Sequence, residues 1–480
     1  EFFATQVIEG PYQLEPDYWG LFRSAINDYS NQDSKEIILQ ASYGNGTDNG
    51  RFGMRMQGYF TASYVNALWG IPSNTWYYGS TNTGFKPNDW AYDVFTNKIA
   101  DSRFEKSFRI EYEATANITD KSNPVENSPY LAYNHKDNAS VTWTQKDADY
   151  FNEHILPTYN RPSWGGRQAV KGEHKIGTTD LGLVFLENTK ETAIDIDECT
   201  AQPYMLRARW VKDGNKYYYR PEPTSGDNAL NVNTFLGLEN GFATVAASKK
   251  HIDPNRGGLT SEYGTRDVAM FRLAETYLIR AEVKGRKGDF AGAISDINMV
   301  RRRAAYKPGE ERAEVLARLY PGSENLTPSE RQYPYTVEKD MTRTMEIDAT
   351  YWDGSSAASQ AENYPEQANT DLKRFIHFIY NELAREMNSE LTYYEGIHHA
   401  GIQAERILWH NQMGSTLKNH WPVSDNVSQG KGQDGNGKGT FDPNIHTFRP
   451  FPQSYIDQLT DENGKLLDAE AKAKYQNPGY

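Results

Sequence analysis

Residues 267–304 read DVAMFRLAETYLIRAEVKGRKGDFAGAISDINMVRRRA and predict two helices joined by a tight turn. In each half of the stretch, apolar residues recur at helical spacing, which indicates one buried face for each helix. Small alanines on both faces would let the two backbones approach closely. The positions expected to be buried are Phe271, Ala274, Leu278, Ala281, Phe290, Ala293, Ile294, Ile297 and Val300.

The ends of the two helices are marked by residues suited to caps and turns. Asp267 and Asp289 are the expected N-caps, because a carboxylate accepts hydrogen bonds from the free amides of a first turn. Gly285 and Gly288 bracket the turn, where a helix end needs a residue that tolerates a left-handed backbone. Gly288-Asp289-Phe290 with the following alanine is the pattern of a tetratricopeptide-type hairpin.

The same stretch resembles the signature helices of the SusD/RagB family, outer-membrane nutrient-binding lipoproteins of Bacteroidetes. Further matches lie at Asp101 to Phe104 and at Lys249 to Pro254. The tail matches as specifically as the hairpin, at Phe448 to Gln453 and at the terminus Gln476 to Tyr480. The matching residues of the hairpin are Arg272-Leu273-Ala274-Glu275, Tyr277-Leu278, Arg280-Ala281-Glu282, Gly288-Asp289, Ala293, Asn298 and Arg301 to Ala304.

The resemblance implies a mainly α fold, with tetratricopeptide-type helical hairpins as scaffold and a mixed, loop-rich region with small β elements. We therefore expect one SusD-like domain over residues 1–480. Its expected parts are a loop-rich mixed region at 1–265, the hairpin at 266–306, an insertion at 307–369, and a C-terminal helix and tail at 370–480.

Local patterns predict several other elements. A β-branched run predicts a strand near Ile37, and the apolar run 181–186 predicts a buried strand. Within the charged insertion we expect a solvated helix near 310–319. A further helix is expected from Asp371, capped by Thr370. Its expected buried residues are Leu372, Phe375, Ile376, Ile379, Leu383 and Met387.

Composition limits the function classes. The chain has 51 basic and 64 acidic residues and a net charge of −13, which argues against nucleic acid or anionic lipid as general partners. Apolar runs stay short of membrane-spanning length. Cys199 is the single cysteine, so an internal disulfide is excluded and an ordinary free thiol is expected. The resemblance implies a lipidated N-terminal cysteine and earlier helical repeats, which we expect to precede this chain in the natural protein.

Ligand-binding candidates are aromatic residues in loop-rich sequence, since an aromatic ring stacks on the apolar C–H face of a sugar. Asn and Ser before the run at 76–78, and Gly after it, favour an exposed turn. Trp210 precedes a polar turn at 212–215. The alternative is that these rings fold back onto the core. The candidates are Trp76, Tyr77, Tyr78, Trp90 and Trp210.

Motifs for catalysis or metal binding all break at a required position. Asp195-Ile196-Asp197-Glu198 resembles the acidic strand of some chitinases, but adjacent acids on a strand point to opposite faces. Gly432 to Gly439 lacks the Ser/Thr of a phosphate-binding loop, and its Lys438 stands where a calcium loop needs an oxygen ligand. His398-His399 has poor spacing for one metal. We expect no catalytic residue, no metal and no cofactor.

The function implied by the resemblance is capture of an oligosaccharide at the surface of the outer membrane. The implied partner is a SusC-like TonB-dependent transporter, and membrane attachment would come only from an N-terminal lipid anchor. Three alternatives remain open: an oligopeptide ligand, a glycan-cleaving hydrolase, and a helical scaffold without a small ligand.

Overall fold

A computed structural model gives the fold of the chain. The residues it describes are 1–25, 27–43, 53–60, 87–113, 142–175, 181–219, 222–223, 230–231, 246–256, 263–390, 392–410 and 442–477.

The chain divides into two compact units. The first unit comprises Glu1–Glu362 and Asn369–Leu391, and the second comprises Asn363–Ala368 and Thr392–Tyr480. That both belong to one SusD-like domain stays a prediction. In the described part of the chain, no helix is both long and apolar enough to cross a lipid bilayer.

Helices dominate both units, which confirms the predicted fold class. In the first unit they are α1 (Phe2–Ile8), α2 (Met56–Phe60), α3 (Asp89–Asp93), α4 (Ser102–Ser107), α5 (Gln145–Tyr150), α6 (Ile196–Thr200), α7 (Leu273–Arg286), α8 (Phe290–Ala304), α9 (Glu314–Arg318), α10 (Thr342–Met345), α11 (Ala357–Ala361) and α12 (Asp371–Glu386). In the second unit they are α13 (Tyr393–His399), α14 (Gln403–His410), α15 (Pro443–His446), α16 (Gln453–Ile456) and α17 (Ala469–Ala473).

Short strands form small sheets in the first unit. The strands are β1 (Ile37–Ala41), β2 (Phe108–Arg109), β3 (Glu111–Glu113), β4 (Leu181–Leu186), β5 (Ile194–Asp195), β6 (Met205–Ala208), β7 (Trp210–Asp213), β8 (Lys216–Tyr219), β9 (Glu222–Pro223), β10 (Leu230–Asn231), β11 (Ala247–Ser248) and β12 (Val268–Arg272). In the described residues they pair as β1-β12, β10-β9, β11-β2, β3-β4-β6 and β5-β7-β8.

The predicted strands near Ile37 and at 181–186 are confirmed. All six residues of β4 are buried, and β4 pairs antiparallel with β3 and parallel with β6. Because both neighbours cover its edges and both faces are packed, the strand is continuously apolar. Cys199 lies in the same core, and burial raises the pKa of its thiol to about 12.

The predicted hairpin is confirmed, but its first helix begins later than expected. The helix α7 starts at Leu273, with Arg272 at its N-cap position. Asp267 instead precedes β12, where its carboxylate accepts a hydrogen bond from the amide of Tyr43 at 2.7 Å. Phe271 is on β12 and only partly buried, so its predicted burial between the helices is wrong. Pairing of β12 with β1 takes this segment out of the helix.

Small residues fill the contact between α7 and α8, as predicted. The two glycines near the turn have different roles. Gly288 has φ +86°, a left-handed conformation that glycine adopts without strain. Gly285 lies inside α7, where a Cβ would come within 2.0 Å of the Phe375 ring on α12. The Asp289 carboxylate caps α8 through the amide of Gly292 at 2.8 Å. The predicted positions that are fully buried are Ala274, Leu278, Ala281, Ala293, Ile297 and Val300.

Two expectations for the later helices are wrong. Thr370 caps α12 as predicted, but Leu372 is exposed, and burial on this helix begins one turn later at Phe375. The predicted solvated helix of the insertion, α9, has Val315 and Leu316 fully buried in the main core of the first unit. Its charged ends suggested a surface helix, whereas its short apolar centre packs inward.

A buried charge network lies where α4, α8 and α12 meet the end of β12. We define it by six acidic and six basic side chains that form ion pairs with one another. The acidic members are Glu36, Asp101, Glu362, Glu382, Glu386 and Glu390, and the basic members are Arg103, Lys250, Arg272, Arg301, Arg303 and Arg385.

Glu386 and Arg272 each pair with three members of this network. The Arg272 guanidinium lies 2.6 Å from Glu386, 2.8 Å from Glu36 and 2.8 Å from Glu390. Glu386 also pairs with Arg303 and, at 3.1 Å, with Arg103. Burial alone would raise the pKa of Glu386, but these guanidiniums lower it to about 2. The carboxylate therefore stays charged, and the network joins elements that are far apart in sequence.

Candidate ligand-binding site

Three of the five predicted aromatic candidates lie outside the described residues. Trp76, Tyr77 and Tyr78 belong to the segment 61–86, whose structure is not described. The last described residue before this segment is Phe60, and the first described residue after it is Pro87. Ligand binding by these three residues stays a prediction.

Trp90 and Trp210 are described, and neither is exposed as expected. Trp90 lies on α3 and is 6% exposed, and Trp210 begins β7 and is 5% exposed. The polar turn after Trp210 does form, with Gly214 at φ +56°, but β7 places the ring in the interior. The expected surface position is wrong for both, because each ring lies on a packed helix or strand and not on the loop beside it.

A different group of aromatic residues borders the segment 61–86. The backbones of Met54 and Gly264 form an antiparallel bridge, with N–H···O distances of 3.0 and 2.7 Å. Arg55 follows Met54 and Tyr263 precedes Gly264. In an antiparallel pair these two residues therefore lie opposite each other. Tyr59 lies one helical turn after Arg55, so the two side chains share a face. We call Arg55, Tyr59 and Tyr263 the Arg55 patch.

Within the Arg55 patch, the guanidinium of Arg55 is exposed and held by tyrosines. Its Cζ lies 4.6 Å from the centroid of the Tyr263 ring, and one of its N–H groups donates to the Tyr263 hydroxyl. Hydrogen bonds with Tyr59 and Tyr263 raise the pKa of Arg55. The patch thus offers to solvent the exposed Tyr59 ring, part of the half-buried Tyr263 ring and a fixed cation.

Asp253 holds the two sides of the patch together. Its carboxylate accepts hydrogen bonds from the amides of Thr265 at 2.6 Å and Arg266 at 3.1 Å. Its own amide donates to the Gln57 side chain on α2 at 2.6 Å. Lys250, three residues earlier, pairs with Glu390 at 2.7 Å in the buried charge network. Residues 250–253 therefore connect the Arg55 patch to the buried charge network.

His251 packs against Phe60, which is the last described residue before the segment 61–86. Their ring centroids are 5.3 Å apart, and Nε2 of His251 lies 2.8 Å from the carbonyl oxygen of Ser389. Burial lowers the pKa of His251 to about 4, so the ring is neutral at physiological pH. The neutral imidazole packs against Phe60 as an aromatic ring and positions the end of α2.

A cavity under this region is too small for a sugar. It is lined by residues that include Phe22, His251, Arg266 and Glu390, and its volume is about 20 Å³. That is about the space of one water molecule. A glycan at this face would bind on the surface and not in the cavity.

Sequence reasoning missed the Arg55 patch. The spacing of Arg55 and Tyr59, four residues apart, was a signal that could have been read. Tyr263 could not be joined to them, because the bridge between Met54 and Gly264 links positions that are distant in sequence.

The second unit has its own exposed aromatic surface, which the sequence analysis noted only as a family motif. Arg449 lies over the Tyr394 ring at 4.9 Å, and the rings of His398 and Phe448 are 5.7 Å apart. The Gln476 side chain bonds both backbone groups of Phe451, at 2.7 and 2.9 Å, which holds the tail in place. The aromatic side chains that are about half exposed are Phe448, Phe451, Tyr455 and Tyr475.

The acidic motif at 195–198 does not have the predicted strand geometry. Asp195 ends β5 and caps α6, with its carboxylate accepting from the amide of Asp197 at 3.0 Å. Asp197 pairs with Lys146 at 2.5 Å, and burial raises the pKa of Glu198. Two of the three acids are thus engaged in a cap and a surface ion pair.

Comparison with known proteins gives one family. A family model described as the SusD family matches residues 35–326. No curated protein matches the chain. Among solved structures it is similar to a SusD superfamily protein from Bacteroides fragilis at 12% identity, with a TM-score of 0.33. That likeness covers 100% of this chain and 58% of the other, so the chain spans less than two thirds of that protein's length.

Proposed function

Since this chain belongs to the SusD family, we propose that it captures an oligosaccharide at the surface of the outer membrane. It then passes the sugar to a SusC-like TonB-dependent transporter. Family membership supports a nutrient-binding role, and the exposed chemistry of the first unit supports a sugar as the nutrient.

The Arg55 patch is the observation on which the proposal rests. A sugar needs flat apolar surfaces for its C–H faces and nearby donors for its hydroxyls. Tyr59 and Tyr263 supply rings and hydroxyl groups, and Arg55 supplies N–H donors. The backbone bridge and Asp253 hold these groups before a ligand arrives, which reduces the entropy lost on binding.

In this proposal Trp76, Tyr77 and Tyr78, which lie outside the described residues, stay further candidates for contact with the sugar. Trp90 and Trp210 are assigned to packing instead, since a ring that is almost fully buried has no free face for a sugar.

The exposed aromatic surface of the second unit is our candidate for contact with the transporter. Clustered exposed aromatic side chains are typical of protein interfaces. Phe448 and Tyr455 are both about half exposed within a short stretch of chain. Replacing both with Ser should abolish co-purification with the co-expressed transporter and leave glycan affinity unchanged. Retained co-purification would remove this surface from the proposal.

A glycan-cleaving hydrolase is the second candidate, favoured by one observation. Burial raises the pKa of Glu198, as a general acid requires. The neighbouring acids have other partners, since Asp195 caps a helix and Asp197 pairs with Lys146. An oligopeptide ligand is the alternative within the family.

A glycan array followed by a product assay separates these candidates. We expect the purified chain to bind a defined set of glycans and to release no new reducing ends from them. Sustained release that Glu198→Gln abolishes would establish the hydrolase. Binding of peptides from a matched peptide array, with none of the glycans bound, would establish the oligopeptide alternative.

A further inference from the structure

Arg55 is an exposed arginine whose described partners are tyrosines. Its guanidinium stacks over Tyr263 with 4.6 Å from Cζ to the ring centroid, and it donates to the Tyr263 hydroxyl. Its pKa is raised by hydrogen bonds with Tyr59 and Tyr263, with no carboxylate contributing among the described residues. The cation is thus held in position without being neutralised.

Two other surface arginines of the first unit, Arg23 and Arg302, differ from Arg55 in this respect. Arg23 lies 3.7 Å from Asp17, and Arg302 lies 2.6 Å from Glu346. In a chain with a net charge of −13, carboxylates are available to pair with exposed cations. Among the described residues Arg55 is held by tyrosines and not by a carboxylate, which keeps its charge available for a ligand.

The position of Arg55 is set by a rigid backbone. The Met54–Gly264 bridge joins the two strands of chain by two hydrogen bonds. A Cβ at Gly264 would lie 2.5 Å from Oδ2 of Asp253 and 2.8 Å from Cε of Met54, so the close approach of these segments requires glycine. The Asp253 carboxylate then bonds the next two amides, those of Thr265 and Arg266. A side chain held in this way binds with little loss of conformational freedom.

The chemistry of a guanidinium selects a particular ligand group. It has five N–H donors in one plane, and the tyrosine contacts leave some of them free. A planar fork of donors pairs with a carboxylate or a sulfate through two parallel hydrogen bonds. A neutral hydroxyl accepts through a single hydrogen bond and gains less from the positive charge than an anion does.

We propose that the Arg55 patch is a subsite for the anionic group of an acidic glycan, with Arg55 on the carboxylate of a uronic acid or on a sulfate and Tyr59 and Tyr263 against the sugar ring. This inference rests on the proposed glycan-binding function and names the ligand class of the same site.

The test uses matched pairs of oligosaccharides. Oligogalacturonate is compared with its carboxyl-reduced form, and a sulfated chondroitin oligosaccharide with its desulfated form, by calorimetric titration of the full chain. We expect the charged member of one pair to bind about tenfold more tightly than its neutral counterpart. We also expect its affinity to fall as salt is raised, since exposed charge interactions are screened. The pair that shows the preference identifies carboxylate or sulfate.

Arg55→Gln should abolish the preference for the charged member, while Arg23→Gln, at an arginine paired with Asp17, should keep it. Tyr263→Phe provides a second variant, because it keeps the ring but removes the hydroxyl that orients the guanidinium. A partial loss of the preference is expected for it. Should Arg55→Gln lower the melting temperature, Arg55→Lys keeps the charge, loses the planar fork, and should still weaken the preference.

The other outcomes refute either the subsite alone or the subsite together with the proposed function. If neutral and charged members bind equally, or if Arg55→Gln keeps the preference, the subsite is refuted while glycan binding stands. If the preference is abolished equally by Arg23→Gln, general surface charge explains it and the subsite is refuted. If the chain binds no member of either pair and no glycan on an array, the proposed function fails together with the subsite.

Discussion

Arg272 and Arg55 are two arginines of the first unit with opposite surroundings. Arg272 is fully buried and pairs with Glu36, Glu386 and Glu390. Arg55 is exposed and pairs with tyrosines.

The difference shows how one side-chain type serves the fold in one place and is available for binding in another. A buried guanidinium surrounded by carboxylates has every charge compensated, so removing a partner leaves a buried charge unpaired. An exposed guanidinium held by neutral hydroxyls contributes little to stability and retains its capacity for a ligand. Changes in the buried charge network should therefore alter unfolding, and changes in the Arg55 patch should alter affinity.

The largest effect should come from Glu386→Gln. Removal of this charge takes a buried carboxylate away from Arg272, Arg303 and Arg103 and leaves Glu36 as the one carboxylate shared by Arg272 and Arg303 among the described residues, which should cost about 3–5 kcal/mol of unfolding free energy. Urea denaturation of the variant measures the loss. Glu395→Gln is the control, since Glu395 forms an exposed ion pair with Arg449 at 3.2 Å. The control should lose no more than about 1 kcal/mol. Equal losses in both would contradict the structural role of the network.

Trp210→Ala should destabilise the first unit by a similar amount. The ring is buried, and truncating a buried aromatic residue costs about 3–5 kcal/mol. Tyr217→Ala on the adjacent strand β8 is the control, because that side chain is exposed. Differential scanning calorimetry compares the two variants. A Trp210→Ala variant that melts like the parent and loses glycan affinity would return this residue to the list of binding candidates.

Leu278→Ala tests the hairpin. Leu278 is fully buried between α7 and α8, and its truncation should cost about 2–5 kcal/mol. Its neighbour Ile279 is exposed, so Ile279→Ala should cost much less. The difference in denaturation midpoint between the two variants is the measurement. If Leu278→Ala unfolds at the same midpoint as Ile279→Ala, the hairpin is not the scaffold of the first unit.

The contribution of Glu386 should depend on pH with a defined sign. Its pKa in the folded protein is about 2, below the 4.5 of a free glutamate. Its stabilising contribution is therefore complete above the unfolded pKa and is lost as pH falls through the folded pKa. The difference in unfolding free energy between the parent and Glu386→Gln should shrink as pH is lowered from about 5 to about 3. A difference that stays constant over this range would show that charge is not the cause.

The sequence predicted the hairpin, the cap at Asp289 and the buried strand β4, because these depend on local periodicity and capping chemistry. It misplaced the start of α7, since the pairing of β12 with distant β1 overrode a helical pattern. It also misassigned α9, where charged ends surround a short apolar centre that packs inward.

The buried charge network and the Arg55 patch were not predicted at all. Glu382, Glu386 and Glu390 recur at a spacing of four residues, which placed acids on one face of the helix-forming stretch and was a readable signal. Apart from Arg385 on α12 itself, their arginine partners come from α4, α8 and β12, and Tyr263 lies opposite Arg55 through a bridge between distant segments. Contacts of this kind depend on tertiary structure, which periodicity does not encode.

The central claim is that the face formed by the Arg55 patch binds the glycan. Its most direct test is a calorimetric titration of an array-selected glycan into Tyr59→Ala and into Tyr217→Ala, two exposed tyrosines of the first unit. We predict that Tyr59→Ala weakens binding about tenfold, equivalent to about 1.4 kcal/mol, with an unchanged melting temperature. Tyr217→Ala should bind as the parent does. Unchanged affinity in Tyr59→Ala, or an equal loss in Tyr217→Ala, would contradict the claim.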